Sequence, residues 1–594
     1  MTDRDITIRL GAAAGDGIQS AGEILTRMLS MSGQYVCTYN GNQSLIRGGH
    51  VWFHIHAGNW RVTSLGNGID YMLALNQIAF DEHIGKINQG GAIIFDPKTV
   101  KAGTIPAGVT PIRLPLTEIA LKYDKRPLMK NTVGIGALAA LLGIDRKEIG
   151  EVIQLQFGSK GKQIVEGNIN AALEGYGLAA KSFVPTKSLE FDYSKKRMFT
   201  HADFALAAGA VNAGCKFYAA YPMSPASPIL HYMATNAEKM GISVLLAEDE
   251  IAAMCATIGA AYAGARAMCA TSGGGFALMQ EALGMAAMNE TPIVVVDVMR
   301  AGPSTGLPTK TSQGDLNMML GISQDDFPRV IIAPRNSEET FNTMGRAFNI
   351  AEKWQVPVIV LLDFGIGDGG YSTVDNLDFE EPIDRGKLLT EVGDEGTWFK
   401  RYELTDDNVS PRVLPGTPNG MFVAKTDEHD EYGHDLSDVE AGLQHAVEKR
   451  VEMMNKRMGK LTGIAVEMNL PEVAGPADAD VTLVSWGSTS NPIREAMRHL
   501  WAEGVKVNSV EFCDLFPLRW KEVAKMLRKA RHLIDVESNY SAQMAGLIAR
   551  ETGIMIEDRL LTYSGEPLEP AEVVEKVKNV LKKEIGVSVR NKAL

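Results

Sequence analysis

Apolar and polar positions alternate along three stretches of the chain in the pattern of α/β domains, with short apolar runs between helical segments. The first stretch, about 1–185, has a glycine-rich turn, Gly-Ala-Ala-Ala-Gly-Asp-Gly at 11–17, between its first strand and its first helix. The elements predicted in this stretch are strands at 6–10, 71–75 and 92–95 and helices at 18–31 and 133–142.

The second stretch, about 198–375, follows a polar segment that contains Pro185 and a basic run at 193–197. Its strand candidates are almost uniformly apolar, which favours a parallel sheet with both faces covered. The elements predicted here are a helix at 202–213 and strands at 216–219, 267–270, 293–298, 330–332 and 358–362.

Residues 376–470 differ from the rest because they are charged and rich in Asp, Glu, Pro and Gly. A basic helix is predicted near 437–459, and we interpret the segment as a connecting arm that wraps over another domain or subunit. The last stretch, about 478–594, resumes the α/β order. Its predicted elements are strands at 481–485, 505–512 and 533–537 and a helix at 492–502.

The overall composition is that of a globular protein, with 594 residues, of which 45% are hydrophobic and 22% charged. No run of about 18 apolar residues predicts a membrane span, and the charged start Met-Thr-Asp-Arg-Asp does not resemble a signal peptide. We therefore expect a cytoplasmic protein. The net charge of −13 argues against a nucleic-acid partner, which would require a basic face.

The five cysteines are scattered along the chain, and no two of them form a C-x-x-C pair. Iron–sulfur clusters and structural zinc require grouped thiolates, so we expect neither on this chain. The thiols are interpreted as small buried groups in a reducing compartment. The residues concerned are Cys37, Cys215, Cys255, Cys269 and Cys513.

The loop at 221–228, Tyr-Pro-Met-Ser-Pro-Ala-Ser-Pro, follows a predicted strand and precedes a helical pattern. Ligands of open α/β sheets bind at such strand ends. Ser224 lies between two of the three prolines, which hold its hydroxyl group in one direction. A rigid turn followed by a helix N-cap explains the same residues without a ligand.

The sequence Glu-Asp-Glu at 248–250 stands at the start of a helix that is otherwise built of small apolar residues. Helix capping by these carboxylates is one interpretation, since the helix dipole favours negative charge there. The small residues also predict close packing on all sides of the helix, which would partly desolvate an acid at its start. Such a carboxylate can hydrogen-bond a heterocyclic nitrogen and promote its tautomerisation.

Two further loops follow predicted strands. Thr-Ser-Gly-Gly-Gly at 271–275 exposes bare backbone to which a cofactor can approach. Arg300 ends another strand and opens a loop of hydroxyl groups and glycines, which suits a small carboxylate. Four such loops on successive strand ends of one sheet predict a binding site.

The order Tyr-Pro-x-[Ser/Thr]-Pro, Glu-x-x-Ala, Ser-Gly-Gly-Gly and Arg followed by Pro-Thr-x-x-x-Gln-Gly-Asp resembles the α subunit of 2-oxoacid:ferredoxin oxidoreductases. Residues 536–543, Val-Glu-Ser-Asn-Tyr-Ser-Ala-Gln, are similar to the last domain of that subunit. The turn at 11–17, Arg-Gly-Gly at 47–49 and Asn-Thr-Val-Gly-Ile-Gly-Ala-Leu at 131–138 are similar to the family's γ subunit. The chain thus looks like a γ–α fusion, in which only 376–470 lacks a specific match.

This resemblance implies thiamine diphosphate as cofactor and a fold of three α/β domains. They are a γ-type domain at 1–185, a thiamine-pyrimidine-binding-type domain at 198–375 and a transketolase C-terminal-like domain at 478–594. The arm at 376–470 connects the second domain to the third.

The resemblance also implies roles for individual residues. Glu250 matches the glutamate that contacts N1′ of the thiamine aminopyrimidine, and it would be the catalytic residue. Arg300 would bind the substrate carboxylate, and Thr309 would make a second substrate contact. Ser224, where the family usually has threonine, would contact the substrate carbonyl or carboxylate. Further cofactor contacts are expected from Tyr221, Gly273 and Gly274.

A partner β subunit is implied by what this chain lacks. Gly-Asp-Gly at 15–17 and at 367–369 imitates the motif by which thiamine enzymes hold Mg²⁺ and diphosphate, but the asparagine that should follow is too close in both cases. We therefore expect Mg²⁺ and a [4Fe-4S] cluster on the β subunit and no metal on this chain. Ferredoxin and an (αβ)₂ assembly complete the expectation.

The implied reaction is the coenzyme A-dependent oxidative decarboxylation of a 2-oxo acid, or its reverse. We favour 2-oxoglutarate, because Lys310 offers a cation for a distal carboxylate and the fusion resembles the two-subunit members. Pyruvate or a broad range of 2-oxo acids is the alternative. Arg47 is a candidate contact of coenzyme A, although a turn is the more ordinary explanation.

Two functions of another class remain as alternatives, a non-catalytic assembly protein and a nucleotide-binding protein based on the turn at 11–17. The joint presence of Glu250, Ser224 and Arg300 argues against the first. The second leaves the loop at 221–228 unexplained.

Overall fold

The computed structural model describes residues 4–42, 49–124, 129–393, 398–437 and 442–592. Within these ranges, no helix is both long enough and apolar enough to cross a bilayer. The strands are β1 Asp5–Ala13, β2 Tyr35–Gly41, β3 His50–Gly58, β4 Ile69–Ala74, β5 Ile87–Phe95, β6 Thr110–Arg113, β7 Met198–Thr200, β8 Phe217–Ala220, β9 Ser243–Leu246, β10 Ala267–Thr271, β11 Ile293–Met299, β12 Val330–Ile332, β13 Pro357–Asp363, β14 Ser372–Val374, β15 Glu472–Ala474, β16 Val481–Trp486, β17 Val507–Phe512, β18 Asp514–Phe516, β19 Leu533–Glu537 and β20 Asp558–Leu561. The α-helices are α1 Ile18–Met31, α2 Gln77–His83, α3 Leu116–Tyr123, α4 Lys130–Leu142, α5 Arg146–Phe157, α6 Lys162–Ser182, α7 Ala202–Asn212, α8 Ser227–Met240, α9 Glu250–Tyr262, α10 Gly273–Phe276, α11 Gln280–Met288, α12 Leu316–Gly321, α13 Ser337–Trp354, α14 Leu443–Glu467, α15 Ser490–Ala502, α16 Trp520–Leu527, α17 Gln543–Thr552 and α18 Pro570–Lys592.

The first sheet has the order β6-β5-β4-β1-β3-β2-β14-β7. Strands β1, β4, β5 and β6 pair in parallel, and β1 pairs with β3, and β3 with β2, in the antiparallel sense. Strands β7 and β14 come from the second stretch of the sequence but extend this sheet. The N-terminal region is therefore joined to the second region by backbone hydrogen bonds.

The glycine-rich helix α4 explains the small-residue pattern at 133–142. It is buried on nearly all sides and packs against α6. A side chain at Gly136 would collide with the carbonyl oxygen of Ala172, and one at Gly175 with the carbonyl oxygen of Val133. Glycine at these positions lets the two helix backbones approach each other closely.

The second sheet has the order β18-β12-β13-β11-β10-β8-β9, and its strand pairs are parallel except for the pair of β12 with β18. Strands β10, β11, β12 and β13 are buried along their whole length. They coincide within one residue at each end with the apolar runs at 267–270, 293–298, 330–332 and 358–362. The predicted parallel sheet with two covered faces is thus confirmed in this region.

The third sheet, β15-β17-β16-β19-β20, is parallel except for its edge strand β15. The predicted strands at 481–485 and 533–537 and the predicted helix at 492–502 correspond to β16, β19 and α15. The α/β class expected from the sequence is therefore confirmed for all three regions.

Two buried charge clusters hold the connecting segment and α14 against the second sheet and its helices. Glu290 is ion-paired with Lys456 and, at 2.6 Å, with Lys460 of α14, and all three side chains are buried. Buried charges are tolerated only when they are paired, so separation of these elements would be costly. The second cluster joins Glu352 of α13 to Arg266, Arg385 and Arg412 at 2.7–2.8 Å.

Helix α9 corrects two expectations from the sequence. Small residues predicted close packing on every side, but Ile251 and Tyr262 on its outer side are exposed by 50% and 37%. Cys255 lies on the same side and is exposed as well, so the interpretation of all five thiols as buried is wrong. The helix packs on β8 and β10 with its inner side, while Ile251, Cys255 and Tyr262 on its outer side are exposed.

Candidate active site

The structure brings the four loops singled out in the sequence to one edge of the second sheet. Strands β11, β10, β8 and β9 are direct neighbours and run parallel, so their C-terminal ends lie side by side. The loop at 221–228 follows β8, the acidic segment at 248–250 follows β9, the glycine turn follows β10 and the Arg300 loop follows β11. This edge is where open α/β sheets bind ligands.

Glu250 is buried, with 3% of its surface exposed, and it is the first residue of α9. The helix is capped by its neighbour Asp249, whose Oδ1 accepts a hydrogen bond from the Ala252 N–H at 2.8 Å. No donor among the described residues reaches Glu250 Oε1. Because a buried carboxylate oxygen without a donor is costly, this atom is arranged for a ligand rather than for the helix.

The glycine turn lies directly against Glu250. A Cβ atom at Gly275 would lie 2.7 Å from Glu250 Oε1 and would collide with Thr271, so only glycine fits there. The hydroxyl group of Ser272, in the same turn, is also buried without a hydrogen-bond partner within the described chain. Gly275 belongs to the glycine motif but is not among the residues that the sequence predicts for the site, and of the three glycines of the turn it is the one that lies against Glu250.

The two selected glycines differ in their surroundings. A side chain at Gly273 would collide with Asp315 Oδ2, whereas the nearest atom to a Cβ at Gly274 is the Ser304 carbonyl oxygen, 3.9 Å away. Gly273 is therefore required by packing within the chain, and the backbone at Gly274 faces open space.

Arg300 and the loop at 221–228 are in contact. Arg300 Nη1 donates a hydrogen bond to the Ser224 carbonyl oxygen at 2.6 Å, and the Ser224 side chain is exposed. Arg300 Nε is buried and has no partner among the described residues. Burial lowers the pKa of Arg300, although the carboxyl groups of Asp315 and Asp297 counteract this. One edge of the guanidinium is thus held by the protein, and a donor remains for an anion.

The other predicted substrate contacts already have partners inside the chain. Thr309 Oγ1 donates to the Asn42 carbonyl oxygen at 2.9 Å, which ties the loop to the end of β2. Lys310 Nζ is ion-paired with Glu566, which follows β20 in the third region. Arg47, the candidate contact of coenzyme A, lies outside the described residues, five positions after Asn42.

Tyr221 belongs to a group of exposed apolar side chains on the elements that form the site. Its side chain is exposed by 41% at the start of the loop after β8. Leu246, Ile251, Tyr262 and Leu278 are exposed by between 37% and 64% and stand on β9, on α9 and after α10, the elements that form the site. We call these residues the apolar rim: Tyr221, Leu246, Ile251, Cys255, Tyr262 and Leu278.

The loop that begins at Arg300 is anchored on the third region through Gln313. Gln313 Nε2 donates to the Trp486 carbonyl oxygen at 2.7 Å, and Gln313 Oε1 accepts from the Ser538 N–H at 2.9 Å. Gln543 Nε2 donates to the Gly314 carbonyl oxygen at 2.7 Å. The two motifs that the sequence offered separately, Gln-Gly-Asp at 313–315 and the stretch at 536–543, therefore form one joint.

A pair of acids below the site, the buried Asp297 and the half-buried Asp315, was missed. Asp297 lies within β11, is fully buried and faces the carboxyl group of Asp315 at the end of the loop. Burial and the neighbouring acid raise the pKa of Asp297 well above its usual range, and burial raises that of Asp315. The available signal was the single charged residue in the apolar run at 293–298.

Comparisons with known proteins agree with this geometry. Residues 7–178 match the pyruvate ferredoxin/flavodoxin oxidoreductase family, and residues 208–448 match the thiamine diphosphate-binding domain of pyruvate flavodoxin/ferredoxin oxidoreductases. The second match extends over residues 376–448 of the arm, so the expectation that the arm lacks a specific match is wrong for that part.

Similar proteins extend over nearly the whole chain. The α subunit of 2-oxoacid:ferredoxin oxidoreductase 2 from Aeropyrum pernix is 31% identical over 97% of this chain and 98% of its own length. The 2-oxoglutarate oxidoreductase subunit KorA of Mycobacterium tuberculosis is 28% identical over 94% of this chain and 92% of its own length.

A solved structure is also similar over nearly the whole chain. The 2-oxoglutarate:ferredoxin oxidoreductase of Magnetococcus marinus, solved with 2-oxoglutarate, coenzyme A and succinyl-CoA bound, is 34% identical. It superposes with a TM-score of 0.90 over 97% of this chain and 99% of that one. The resemblance read from the motifs is thus confirmed, and the chain belongs to the family of 2-oxoacid:ferredoxin oxidoreductase α subunits.

Proposed function

We propose that this chain is the α subunit, with a fused γ-type domain, of a 2-oxoglutarate:ferredoxin oxidoreductase. The reaction converts 2-oxoglutarate and coenzyme A to succinyl-CoA and CO₂, releases one proton and passes two electrons to ferredoxin; the reverse reaction carboxylates succinyl-CoA. The observation that carries the proposal is the buried oxygen of Glu250, which no donor in the described part of the chain reaches, at the edge of the sheet where the Arg300 loop also begins.

The surroundings of Glu250 fit the aminopyrimidine of thiamine diphosphate. Glu250 Oε1 needs a partner that shares a proton with it, and N1′ of the aminopyrimidine is such a group. The absence of a side chain at Gly275 leaves room beside that oxygen. When bound, thiamine supplies the carbanion chemistry of the reaction. Glu250 would hold the proton at N1′, and the backbone at Gly273 and Gly274 and the ring of Tyr221 would border the cofactor.

Three side chains would orient the 2-oxo acid. Arg300 would bind its carboxylate with the guanidinium edge that the Ser224 carbonyl leaves free. The exposed hydroxyl of Ser224 would contact the carbonyl or carboxylate oxygen of the substrate. Thr309 would contribute after exchanging its bond to Asn42 for one to the substrate. Arg47 stays a prediction for the contact with coenzyme A.

The choice of 2-oxoglutarate rests on Lys310 and on the similarity to the Magnetococcus enzyme. Lys310 follows Thr309 directly, so a distal carboxylate next to Thr309 would meet a cation. Its present partner, Glu566, is 48% exposed, and an exposed ion pair is exchanged at little cost, about 0–1 kcal/mol. A distal carboxylate can therefore replace Glu566.

The same ion pair favours a second candidate, an enzyme for a broad range of 2-oxo acids. If Glu566 keeps Lys310 neutralised, the pocket offers no unpaired cation beyond Arg300 in the described part of the loop. Pyruvate and 2-oxobutyrate, which lack a distal carboxylate, would then be bound as well as 2-oxoglutarate. Several relatives are named only as acting on 2-oxo acids.

The apolar rim implies that the site is completed by a second protein. Exposed apolar groups around a cofactor site would weaken both solubility and cofactor binding unless another chain covers them. We propose that a β subunit covers the rim and brings the diphosphate and Mg²⁺ site and the [4Fe-4S] cluster, in an (αβ)₂ assembly. Electrons would leave through that cluster to ferredoxin.

The test is the activity of the complex of this chain with its β subunit, purified without oxygen. With coenzyme A and ferredoxin, we expect reduction of ferredoxin that depends on a 2-oxo acid, with kcat/KM highest for 2-oxoglutarate among 2-oxoglutarate, pyruvate and 2-oxobutyrate. Equal values for the three acids would favour the broad-range candidate. A complex that loads thiamine but turns over none of them would show the proposal to be wrong.

A further inference from the structure

Two carboxyl groups face each other at the base of the loop that carries Arg300 and Thr309. Asp297 lies on β11 and has no exposed surface, and Asp315 stands directly before α12. No N–H or O–H group of the described residues donates to either oxygen of Asp297. The carboxyl group next to it is that of Asp315.

The pair joins the two ends of the loop. The chain leaves β11 at Arg300, three residues after Asp297, and returns at Asp315. The returning end is held from the opposite side by the third region, where the Gln313 N–H donates to the Ser538 carbonyl oxygen at 2.7 Å. Gly273 leaves the space that the Asp315 carboxyl group occupies. The contact between the two acids therefore links the two ends of the loop, in addition to the Ala301 N–H bond to the Lys310 carbonyl oxygen at 3.1 Å.

Two ionised carboxylates cannot share such a place at low cost, because like charges repel strongly in a buried environment. One proton between them turns the repulsion into a hydrogen bond. Arg300 is the charged group that faces both acids, and the backbone neighbours of Asp297 in the sheet, Thr271 and Leu361, are uncharged. A pair that carries one proton and one negative charge matches the single positive charge of Arg300.

We propose that Asp297 and Asp315 share one proton and that this proton clasps the stem of the loop, so that the pair positions Arg300 and Thr309 for the carboxylate of the substrate. Asp297 is a positioning residue in this account, since it touches neither substrate nor cofactor. The assignment of a 2-oxo acid as the ligand rests on the proposed function, whereas the shared proton between Asp297 and Asp315 does not.

Alkaline pH would open the clasp. Burial raises the pKa of both carboxyl groups, so the pair keeps its proton above the pH at which an exposed acid has lost it. Once the proton leaves, the two negative charges repel each other and draw Arg300 toward themselves. KM for the 2-oxo acid would then rise, while kcat at saturation would change little.

The decisive experiment is hydrogen exchange of the peptide 301–315 in the α–β complex between pH 6 and pH 9. Exchange is normalised at each pH to the same peptide in the unfolded protein, which removes the intrinsic effect of pH. In the wild type we expect protection of this peptide to fall as pH rises. In Asp297→Asn the amide donates to Asp315 without a titrating proton, and protection should stay constant.

Asp203→Asn is the matched control, because Asp203 is also fully buried, without a donor to either oxygen, and has a raised pKa caused by its own burial and by Asp368. It should leave the pH response of 301–315 as in the wild type. Asp297→Ala removes the hydrogen bond altogether and should lower protection at every pH. Protection that does not change with pH in the wild type, or that falls equally in Asp297→Asn, would overturn the proposal.

Kinetics separate the clasp from the assignment of substrate. In the wild type, KM for the 2-oxo acid should climb over the pH range in which protection is lost, and in Asp297→Asn it should not. A flat KM beside the expected exchange result would refute the positioning role. A complex that acts on no 2-oxo acid would refute the proposed function, and the exchange experiment would still decide on the clasp.

Discussion

Asp249 caps α9, and the next residue, Glu250, keeps a buried oxygen that no donor of the described residues reaches. The two carboxylates are adjacent in sequence, and the helix dipole favours both. Only one of them is used by the helix. The other is available for a ligand at the edge of the second sheet.

We expect Glu250→Gln to lower kcat by about 10²- to 10⁴-fold, the range for loss of a positioned proton-transfer group. The amide has nearly the same shape but cannot share a proton with the aminopyrimidine. Steady-state kinetics of the complex measures this, and thiamine content checks that the cofactor is still bound. Glu248→Gln, at an exposed position before the cap, is the control and should stay within a few-fold of the wild type. A similar loss in both variants would assign the effect to the helix start.

Arg300→Ala should lower kcat/KM for the 2-oxo acid by about 10- to 150-fold, because a hydrogen bond to a charged group is worth about 1.5–3 kcal/mol. Arg300→Lys keeps the charge but not the planar fork, and it should recover part of the loss. Assembly with the β subunit should be unchanged in both. An Arg300→Ala enzyme with wild-type KM would contradict a role in substrate binding.

Lys310 and Glu566 form an ion pair that tests the choice of substrate. If Lys310 reads the distal carboxylate, Lys310→Met should lose activity on 2-oxoglutarate and keep activity on pyruvate. Glu566→Gln should lower KM for 2-oxoglutarate by up to about 5-fold, since exposed pairs are worth about 0.2–1 kcal/mol. The comparison uses kcat/KM for both acids in each variant. Unchanged preference in both variants would favour the broad-range candidate.

Assembly should depend on the apolar rim. Ile251→Asp should weaken association with the β subunit by more than about tenfold, because an unpaired charge would be buried in the interface. Ile78→Asp is matched to it, since both isoleucines are the second residue of a helix with a side-chain cap and are exposed by 50% and 52%. Sedimentation or gel filtration of the complexes reports the difference. If the two variants assemble equally well with the β subunit, the β subunit binds at a surface other than the apolar rim.

Because of His201, the free energy of unfolding should decrease as the pH falls below 6.5. Burial lowers the pKa of His201 from 6.5 to about 4, so the folded state resists the proton that the unfolded chain accepts. As pH falls from 6.5 to 4 the wild type should lose about 3 kcal/mol from this group. His201→Gln should lose less over the same range, whatever its stability at pH 7. His434→Gln, at an exposed side chain, should follow the wild type in denaturant titrations.

Much of the site was accessible from sequence because several candidate residues directly follow the end of a strand. When an apolar run is followed by Tyr221, Ser272 or Arg300, that residue is predicted to lie at the carboxyl edge of a parallel sheet. This prediction does not depend on the rest of the sequence. Glu250 was identified as an acid at a helix start for the same local reason. Hydrophobic periodicity and turn chemistry are local properties, and they extend over only a few residues.

Contacts between distant residues were decided by the tertiary structure alone. That Lys310 meets Glu566, that Gln313 joins Ser538 and that Asp297 faces Asp315 depends on which elements become neighbours, and no local pattern encodes this. The exposure of a side chain is also decided by the fold. Cys255 lies in a helix whose sequence predicts close packing, but it stands on the exposed side of that helix. The sequence by itself determined the α/β elements and the chemistry at their ends, because these follow from short-range sterics and burial. Which groups are paired, free or shared followed only from the folded arrangement, because pairing energies depend on distances that the fold creates.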